Sequence, residues 1–387
     1  MVTYSRRTLL QGLVTFSLSV ELFRLVQPLG AAAYAQADRE TRPYLMLVLG
    51  DSVVWGQGLK EENKFYSKVK NAIQQGLPAN RKVQQLVEAH SGATISPKKP
   101  KPCPIQPGEV PIATPTLFAQ VDAALSTYAS FGVKRDEVDL VLLNGGINDV
   151  GFPLIINPFT SEKKITKESE KFCKQGMQEL LGHIRERFPN AAVVVTGFLP
   201  IISLKTKEDL LIQLIRAFFG GDESRKILDK AAKEQQRELR EAAKLRQVAV
   251  TQPNWLTRRL SQLSDHWKLM SDTHLQAAVD VVNKDKPPKV FFVKVDFLPE
   301  ECYAADRTKF WQITGSGGGV GNLISDDEMF DPRQETCRLA APDLSSFGKL
   351  KCPVAGTGHP NKEGAQKYAD AIIQKLRKGS IIGPPVR

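Results

Sequence analysis

Four short patches hold the residues whose types and order could do chemistry: LVLGDS with Ser52, HSGAT with Gly92, GGIND with Asn148 and GHPN with His359. That chemistry would be nucleophilic attack on an acyl carbon, built without a GxSxG elbow. A serine hydroxyl is a weak nucleophile at its own pKa and needs a base within hydrogen-bond reach. An imidazole titrating near neutrality suits that role, so His359 is the candidate base for Ser52. The tetrahedral oxyanion then needs preorganised donors. The backbone N–H groups of Ser52 and Gly92 and the side-chain amide of Asn148 are the candidates, and the glycine leaves approach open because it carries no Cβ. Asp149, beside Asn148, is expected to orient its loop by accepting from backbone N–H groups.

These residues act together only if the fold brings them to one edge. Apolar runs at 44–49, 83–87, 138–143, 192–195 and 290–295 read as buried strands, separated mostly by helical patterns. That alternation predicts an α/β fold, a three-layer α/β/α sandwich around a mainly parallel five-stranded sheet. Helices are expected over 62–75, 116–128 and 161–188, the last broken at an unspecified point, with a further helix over 361–376 after His359. Each candidate residue then follows the C-terminal end of a strand or precedes a helix, where open α/β sheets keep their sites.

With those residues in view, the chain resembles the SGNH or GDSL hydrolase superfamily, whose four motif blocks carry Ser, Gly, Asn and His. Here these are Ser52, Gly92, Asn148 and His359, in blocks spanning residues 44–378. The resemblance implies a flavodoxin-like sheet and a serine esterase or lipase working through an acyl-enzyme, with no cofactor. It also implies an acid three residues before the histidine, and that position is Gly356. Either an acid comes from elsewhere or a Ser–His dyad is oriented by a backbone carbonyl. Asp296 is the leading substitute, at the end of the last predicted strand; Asp326 and Asp327 come after it.

The N-terminal SRRTLLQGLVTFSLSV followed by AAAYA looks like a twin-arginine export signal, residues 1–35, with Arg6 and Arg7 as the paired arginines. Glu21 and Arg24 interrupt the apolar stretch and argue against a stable membrane span. Residues 36–387 read as one catalytic domain, because no linker or repeat divides them. The net charge of +11, about +9 once residues 1–35 are removed, favours anionic partners. A membrane or cell-wall surface fits; nucleic acid does not, since acids intersperse the basic residues and no recognition motif accompanies them. Five cysteines lie scattered, without CxxC or zinc spacing, so no metal site is implied. Any disulfide is expected among Cys302, Cys337 and Cys352.

Three insertions interrupt the motifs. The proline- and lysine-rich segment 96–115 follows Gly92 and is either a rim loop of the site or a solvated loop. Residues 203–288 are almost wholly helical in pattern; Leu211, Leu214, Ile215, Phe218 and Phe219 would face an acyl chain or a membrane, or simply the core. Residues 298–354 form a long loop insertion in which GSGGGVGN lacks the flanks of a phosphate-binding loop and DDEMFD lacks EF-hand spacing. His90 reads as shaping the Gly92 loop or as structural, and His183, His266 and His274 have no matching partner. The expected activity is hydrolysis of a lipid, acyl or acetyl ester by an exported, periplasmic or extracellular enzyme. The alternative is a non-catalytic or acyl-transferring cell-envelope relative of the same fold.

Overall fold

The computed structural model describes residues 42–95, 116–244, 253–284, 289–316, 323–339 and 352–384. The expected export signal, the segment 96–115 and the tip of the glycine run lie outside them. Tyr44–Arg387 form one compact unit. It starts with β1 (Tyr44–Leu49), short α1 (Ser52–Trp55), α2 (Phe65–Gln75), β2 (Val83–Val87), α3 (Leu117–Ser130) and β3 (Leu140–Leu143). Two single-turn helices follow, α4 (Ile147–Val150) and α5 (Phe152–Ile155). Next come α6 (Glu162–Ser169), α7 (Met177–Arg187) and β4 (Ala192–Thr196). The expected break in the 161–188 helix is a π-helical stretch, Glu170–Gly176, between α6 and α7.

Beyond β4 lie α8 (Glu208–Phe219), α9 (Gly221–Lys244) and α10 (Trp255–Asn283), then β5 (Val290–Val293). An antiparallel hairpin, β6 (Ile313–Ser316) and β7 (Leu323–Ser325), precedes α11 (Phe330–Leu339) and the closing α12 (Lys362–Lys378). Among the described residues no helix is long and apolar enough to cross a membrane.

The five main strands are all parallel, in the order β2-β1-β3-β4-β5. All six residues of β1 and all four of β3 are buried, as a continuous apolar run must be when both faces of a parallel strand are covered. Crossovers between parallel strands are right-handed. The β1-to-β2 crossover runs one way along the sheet, and the crossovers through α3, α7 and α10 run the other way. Handedness therefore puts α2 on one face and α3, α7 and α10 on the opposite face. The closing helix joins α2, with Tyr368 stacked on Phe65 at 5.4 Å. This is the expected three-layer sandwich, with its topological switch between β1 and β3.

The insertion between β4 and β5 is built into this body. Leu211, Leu214 and Ile215 of α8 are fully buried in the main core, so they are not available to an acyl chain or a membrane; Phe218 and Phe219 are half-buried against that core. In α10, Trp267 is fully buried and lies 5.2 Å from Phe198. Ser264 accepts from the N–H groups of Ile201 and Ile202 at 2.7 and 3.0 Å, fixing the chain as it leaves β4.

A clamp inside α3 holds the exit of β1. Gln120 is fully buried and brackets Gly50: its Oε1 accepts from Gly50 N at 2.8 Å and its Nε2 donates to Gly50 O at 2.9 Å. The carbonyl has another donor in His90 N, at 3.0 Å, but the N–H depends on the glutamine. Replacing Gln120 with Leu leaves that buried N–H unpaired, so we expect a loss of about 1–3 kcal/mol in urea unfolding. A stability unchanged within error would mean that Gly50 is held by other contacts.

Candidate active site

Ser52 opens α1, separated from β1 by Gly50 and Asp51. Asp51 caps that helix, its Oδ1 accepting from Val53 N at 2.9 Å. As the first helical residue, Ser52 has no carbonyl within the helix to receive its N–H, so this donor stays available beside its own hydroxyl. Asp51 is fully buried and its Oδ2 has no hydrogen-bond partner among the described residues. Burial, reinforced by the nearby Asp149 carboxylate, raises its carboxyl to about 7. Val53 N and Val54 N pull the other way by bonding the charged form.

The second and third patches grip each other at the switch point. Ala93 N returns to His90 O at 3.1 Å, making a tight turn whose third residue, Gly92, has φ +82; that left-handed conformation favours glycine. Asn148 Nδ2 donates to Ala93 O at 2.9 Å, and Asp149 Oδ2 accepts from Ile95 N at 2.8 Å. Asp149 thus orients the Gly92 loop rather than only its own. One hydrogen of the Asn148 amide is committed to Ala93, which fixes the plane of the amide and leaves its second hydrogen for another acceptor.

His359 arrives from the far end of the chain. Its Nε2 lies 2.7 Å from Ser52 Oγ, and its Nδ1 lies 3.3 Å from Gly356 O. A carbonyl can only accept, so Nδ1 carries the hydrogen and Nε2 presents its lone pair to the hydroxyl, the tautomer a general base requires. Desolvation pushes the imidazole down to about 4, and the neighbouring Arg333 charge adds to that, while the Gly356 carbonyl and Asp327 oppose it. The histidine loop is anchored by Trp311 N to His359 O at 3.0 Å and Gly358 N to Trp311 O at 3.0 Å. Asn361 caps α12, accepting from Glu363 N and Gly364 N at 3.0 Å each. A Cys337–Cys352 disulfide fastens α11 to the same loop, a pair within the expected trio. Cys302 and Cys173 are free and buried, and burial pushes both thiols up, Cys302 to about 12.

Asp296 is not brought to the histidine. Its side chain is 71% exposed and pairs with Lys294 at 3.0 Å. It belongs to the end of β5, the edge strand of the sheet, whereas Ser52 follows β1 near the other edge, so "after the last strand" does not mean "beside the nucleophile". The first three acids of DDEMFD have protein partners. Asp326 accepts from Gln312 N at 2.6 Å, Asp327 pairs with Arg333, and Glu328 binds Lys362 at 2.7 Å and Asn63 at 2.9 Å. His183, His266 and His274 bond Asp122, Thr166 and Ser169. Gln120 escaped sequence reasoning, although a glutamine among Leu117, Val121 and Ala124 on the buried stripe of α3 was a legible sign.

Fold and site together describe an α/β enzyme whose serine and histidine meet at the switch point of a parallel sheet. Residues 48–279 match the GDSL-like Lipase/Acylhydrolase family, and the chain belongs to that family; it is a carboxylic ester hydrolase. The match includes Ser52, Gly92 and Asn148 and stops before His359. No curated protein matches this chain. Among solved structures it is similar to an extracellular lipase from Streptomyces rimosus, at 13% identity over 86% of this chain and 99% of that one, with a TM-score of 0.41. A phospholipase A1 from Streptomyces albidoflavus matches over the same shares at 12% identity and TM-score 0.41. An acetyl xylan esterase from Butyrivibrio proteoclasticus matches at 10% identity over 87% of this chain and 64% of that one, TM-score 0.35.

The buried Asp51 carboxyl makes stability depend on pH with a definite sign. In the folded state this carboxyl stands at about 7, against 3.8 in an unfolded chain, so below 3.8 both states are protonated and no penalty arises. Between 3.8 and 7 the unfolded chain gives up this proton while the folded state keeps it, so stability falls across that window and levels off above 7, where the folded state buries the charge. Asp51→Asn should therefore gain on the wild type between pH 4 and pH 8, by roughly 4 kcal/mol at most at 1.36 kcal/mol per unit. Urea unfolding at the two pH values checks it; a difference that does not change with pH would contradict the raised carboxyl.

Proposed function

We propose that this chain is an exported serine hydrolase that cleaves carboxylic esters through an acyl-enzyme, with Ser52 as nucleophile and His359 as general acid–base. The 2.7 Å contact between Ser52 Oγ and His359 Nε2 carries the reading. The Ser52 proton passes to Nε2 as Oγ bonds to the ester carbon. The developing oxyanion faces Ser52 N–H, Gly92 N–H and the free hydrogen of the Asn148 amide. The tetrahedral adduct collapses as the imidazolium returns the proton to the leaving alkoxide, and water, deprotonated by the same imidazole, then releases the acid and restores Ser52. Gly356 O keeps Nδ1–H in place through both steps, in a dyad arrangement. Asp149 acts one contact away, by holding Ile95 and with it the Gly92 turn.

Export is supported by the paired Arg6 and Arg7 ahead of a modestly apolar stretch, and by the Cys337–Cys352 disulfide, which suits an oxidising compartment. On this reading residues 1–35 are removed and 36–387 are the working domain, with 203–288 and 298–354 as its insertions. The substrate is an ester of a lipid or of an acylated or acetylated glycan, and the net charge of +11 favours an anionic membrane or cell-wall surface.

Release of p-nitrophenol from acetyl and longer acyl esters tests the mechanism. Ser52→Ala and His359→Ala are expected to lower kcat at least about 10³-fold, and Asn148→Ala about 10²–10³-fold, the effect of removing one oxyanion donor. Because the imidazole stands near 4, kcat/KM should stay level as pH falls to about 5 and decline only around 4. A wild type that turns over no ester, or a Ser52→Ala variant that keeps its rate, would refute the hydrolase reading. Reducing the Cys337–Cys352 bond should separately lower stability by about 3 kcal/mol for a loop of this length, measurable as a fall in Tm under dithiothreitol.

A further inference from the structure

The chain lacks an acid at position 356, yet a carboxylate occupies the space beside it. A Cβ built on Gly356 would lie 2.4 Å from Asp327 Oδ2 and 2.6 Å from its Cγ. On the opposite wall, a Cβ on Gly58 would lie 2.9 Å from Asp327 Cβ. Two glycines thus wall a slot with no room for a further side-chain carbon, and the Asp327 side chain within it is fully buried. Asp327 Oδ1 accepts from Met329 N at 3.1 Å, and Oδ2 bonds Arg333 Nη2. Arg333, whose side chain is 1% exposed, also donates from Nε and Nη2 to Pro353 O at 3.1 and 2.9 Å. The pair is therefore fastened to the loop that ends in His359.

We propose that Asp327, held by Arg333 in the slot between Gly58 and Gly356, is the counter-charge to His359 that this chain does not carry at position 356. This rests on the Ser52–His359 reading. Asp327 acts as a positioning residue, through the imidazole and not on the substrate. When Ser52 gives its proton to Nε2, the imidazolium needs a negative partner, and the Nδ1 contact to Gly356 O, at 3.3 Å, is long for an N–H···O bond. The charges acting on His359 are Arg333, which opposes protonation, and Asp327, which favours it. Asp51, adjacent to Ser52, and Asp149, which holds Ile95 N, are the other buried acids of this end of the site, and the raised Asp51 carboxyl keeps that group largely neutral in acid. Without Asp327 the new imidazolium would face an uncompensated guanidinium. The motif acid has in effect moved from the histidine loop to the turn before α11, and the glycine at 356 is what admits it.

The test is the pH profile of kcat and kcat/KM for p-nitrophenyl acetate with the purified full chain. Asp327→Asn keeps the shape and the acceptor for Met329 N but removes the charge. We expect kcat to fall 10–100-fold with KM within threefold, and the acidic limb to move to lower pH. Arg333→Gln should move that limb to higher pH, an opposition that a purely structural pair would not produce. Asp327→Gly, which also removes the Cβ that would lie 3.0 Å from one at position 356, should likewise lose activity, and adding Gly356→Asp to it should recover at least tenfold, since the vacated slot can accept a carboxylate from the motif position. If Asp327→Asn does not fold, the doubly neutral Asp327→Asn/Arg333→Gln replaces it, with at least a tenfold lower kcat expected than for Arg333→Gln alone. The proposal is overturned if Asp327→Asn keeps kcat within threefold with an unmoved limb, or if Gly356→Asp restores nothing. Full activity in Ser52→Ala or His359→Ala would instead remove the underlying dyad, so the two failures are distinguishable.

Discussion

One hydrogen bond, from Ser52 to His359, joins residues 307 positions apart, and much of the architecture can be understood as the means of closing it. A contact of that separation cannot be set locally; both partners must be delivered by rigid elements. Ser52 is delivered by β1, which is wholly buried and paired on both sides. His359 is delivered by α12, whose Tyr368 stacks on Phe65 of α2. Because α2 leads from β1 to β2, the helix behind the histidine packs in one layer with the helix that follows the serine's strand. The loop positions then need only short-range fixing, which Gln120, Asn361 and the Cys337–Cys352 bond supply.

The same economy governs the Asn148–Gly92 side of the site. Asn148 follows β3, the neighbour of β1, and the two strands are in register from Met46 opposite Leu140 to Leu49 opposite Leu143. Both chains therefore emerge from the sheet at the same height. Asn148 and Asp149 then hold the Gly92 turn by side chain rather than by sheet pairing. Removing the backbone ladder from this region frees N–H groups to face an anion, a need that regular secondary structure would not meet. The burial of the Asp51 and Asp149 carboxyls beside one another has the same origin, since short polar side chains must stand in for the missing ladder.

What could be read from the chain alone follows from how local each signal is. The apolar runs marked the five strands to within two residues, because a parallel strand buried on both faces has a composition of its own. The four motif residues were legible because each follows a strand end or starts a helix. The acid that lies beside the histidine loop was not legible: Asp296 satisfied the rule of lying after a strand, but strand order decides which ends are neighbours, and β5 sits at the far edge of the sheet. Asp327 reaches the histidine loop only through the fold of an insertion, and nothing in DDEMFD distinguishes the acid that enters a glycine-walled slot from those that pair with Gln312 or Lys362. The clamp by Gln120 was visible as a polar residue in an apolar stripe, but its partner Gly50, 70 residues away, was not.

The helical insertion before β5 bears on how substrate is met. A detachable lid needs an apolar face that is satisfied when closed and exposable when open, and so few buried contacts behind it. The α8 stripe of Leu211, Leu214 and Ile215 is instead continuous with the main core, and α10 fixes the exit of β4 through Ser264 and buries Trp267. Lifting these helices would open the sheet itself. Phe218 of α8, 4.5 Å from Phe152 just beyond Asn148, remains half-buried, and in this arrangement it is a fixed wall next to the helix that follows Asn148. Selectivity for the acyl group would then be set by the shape of that wall more than by a domain-scale closure.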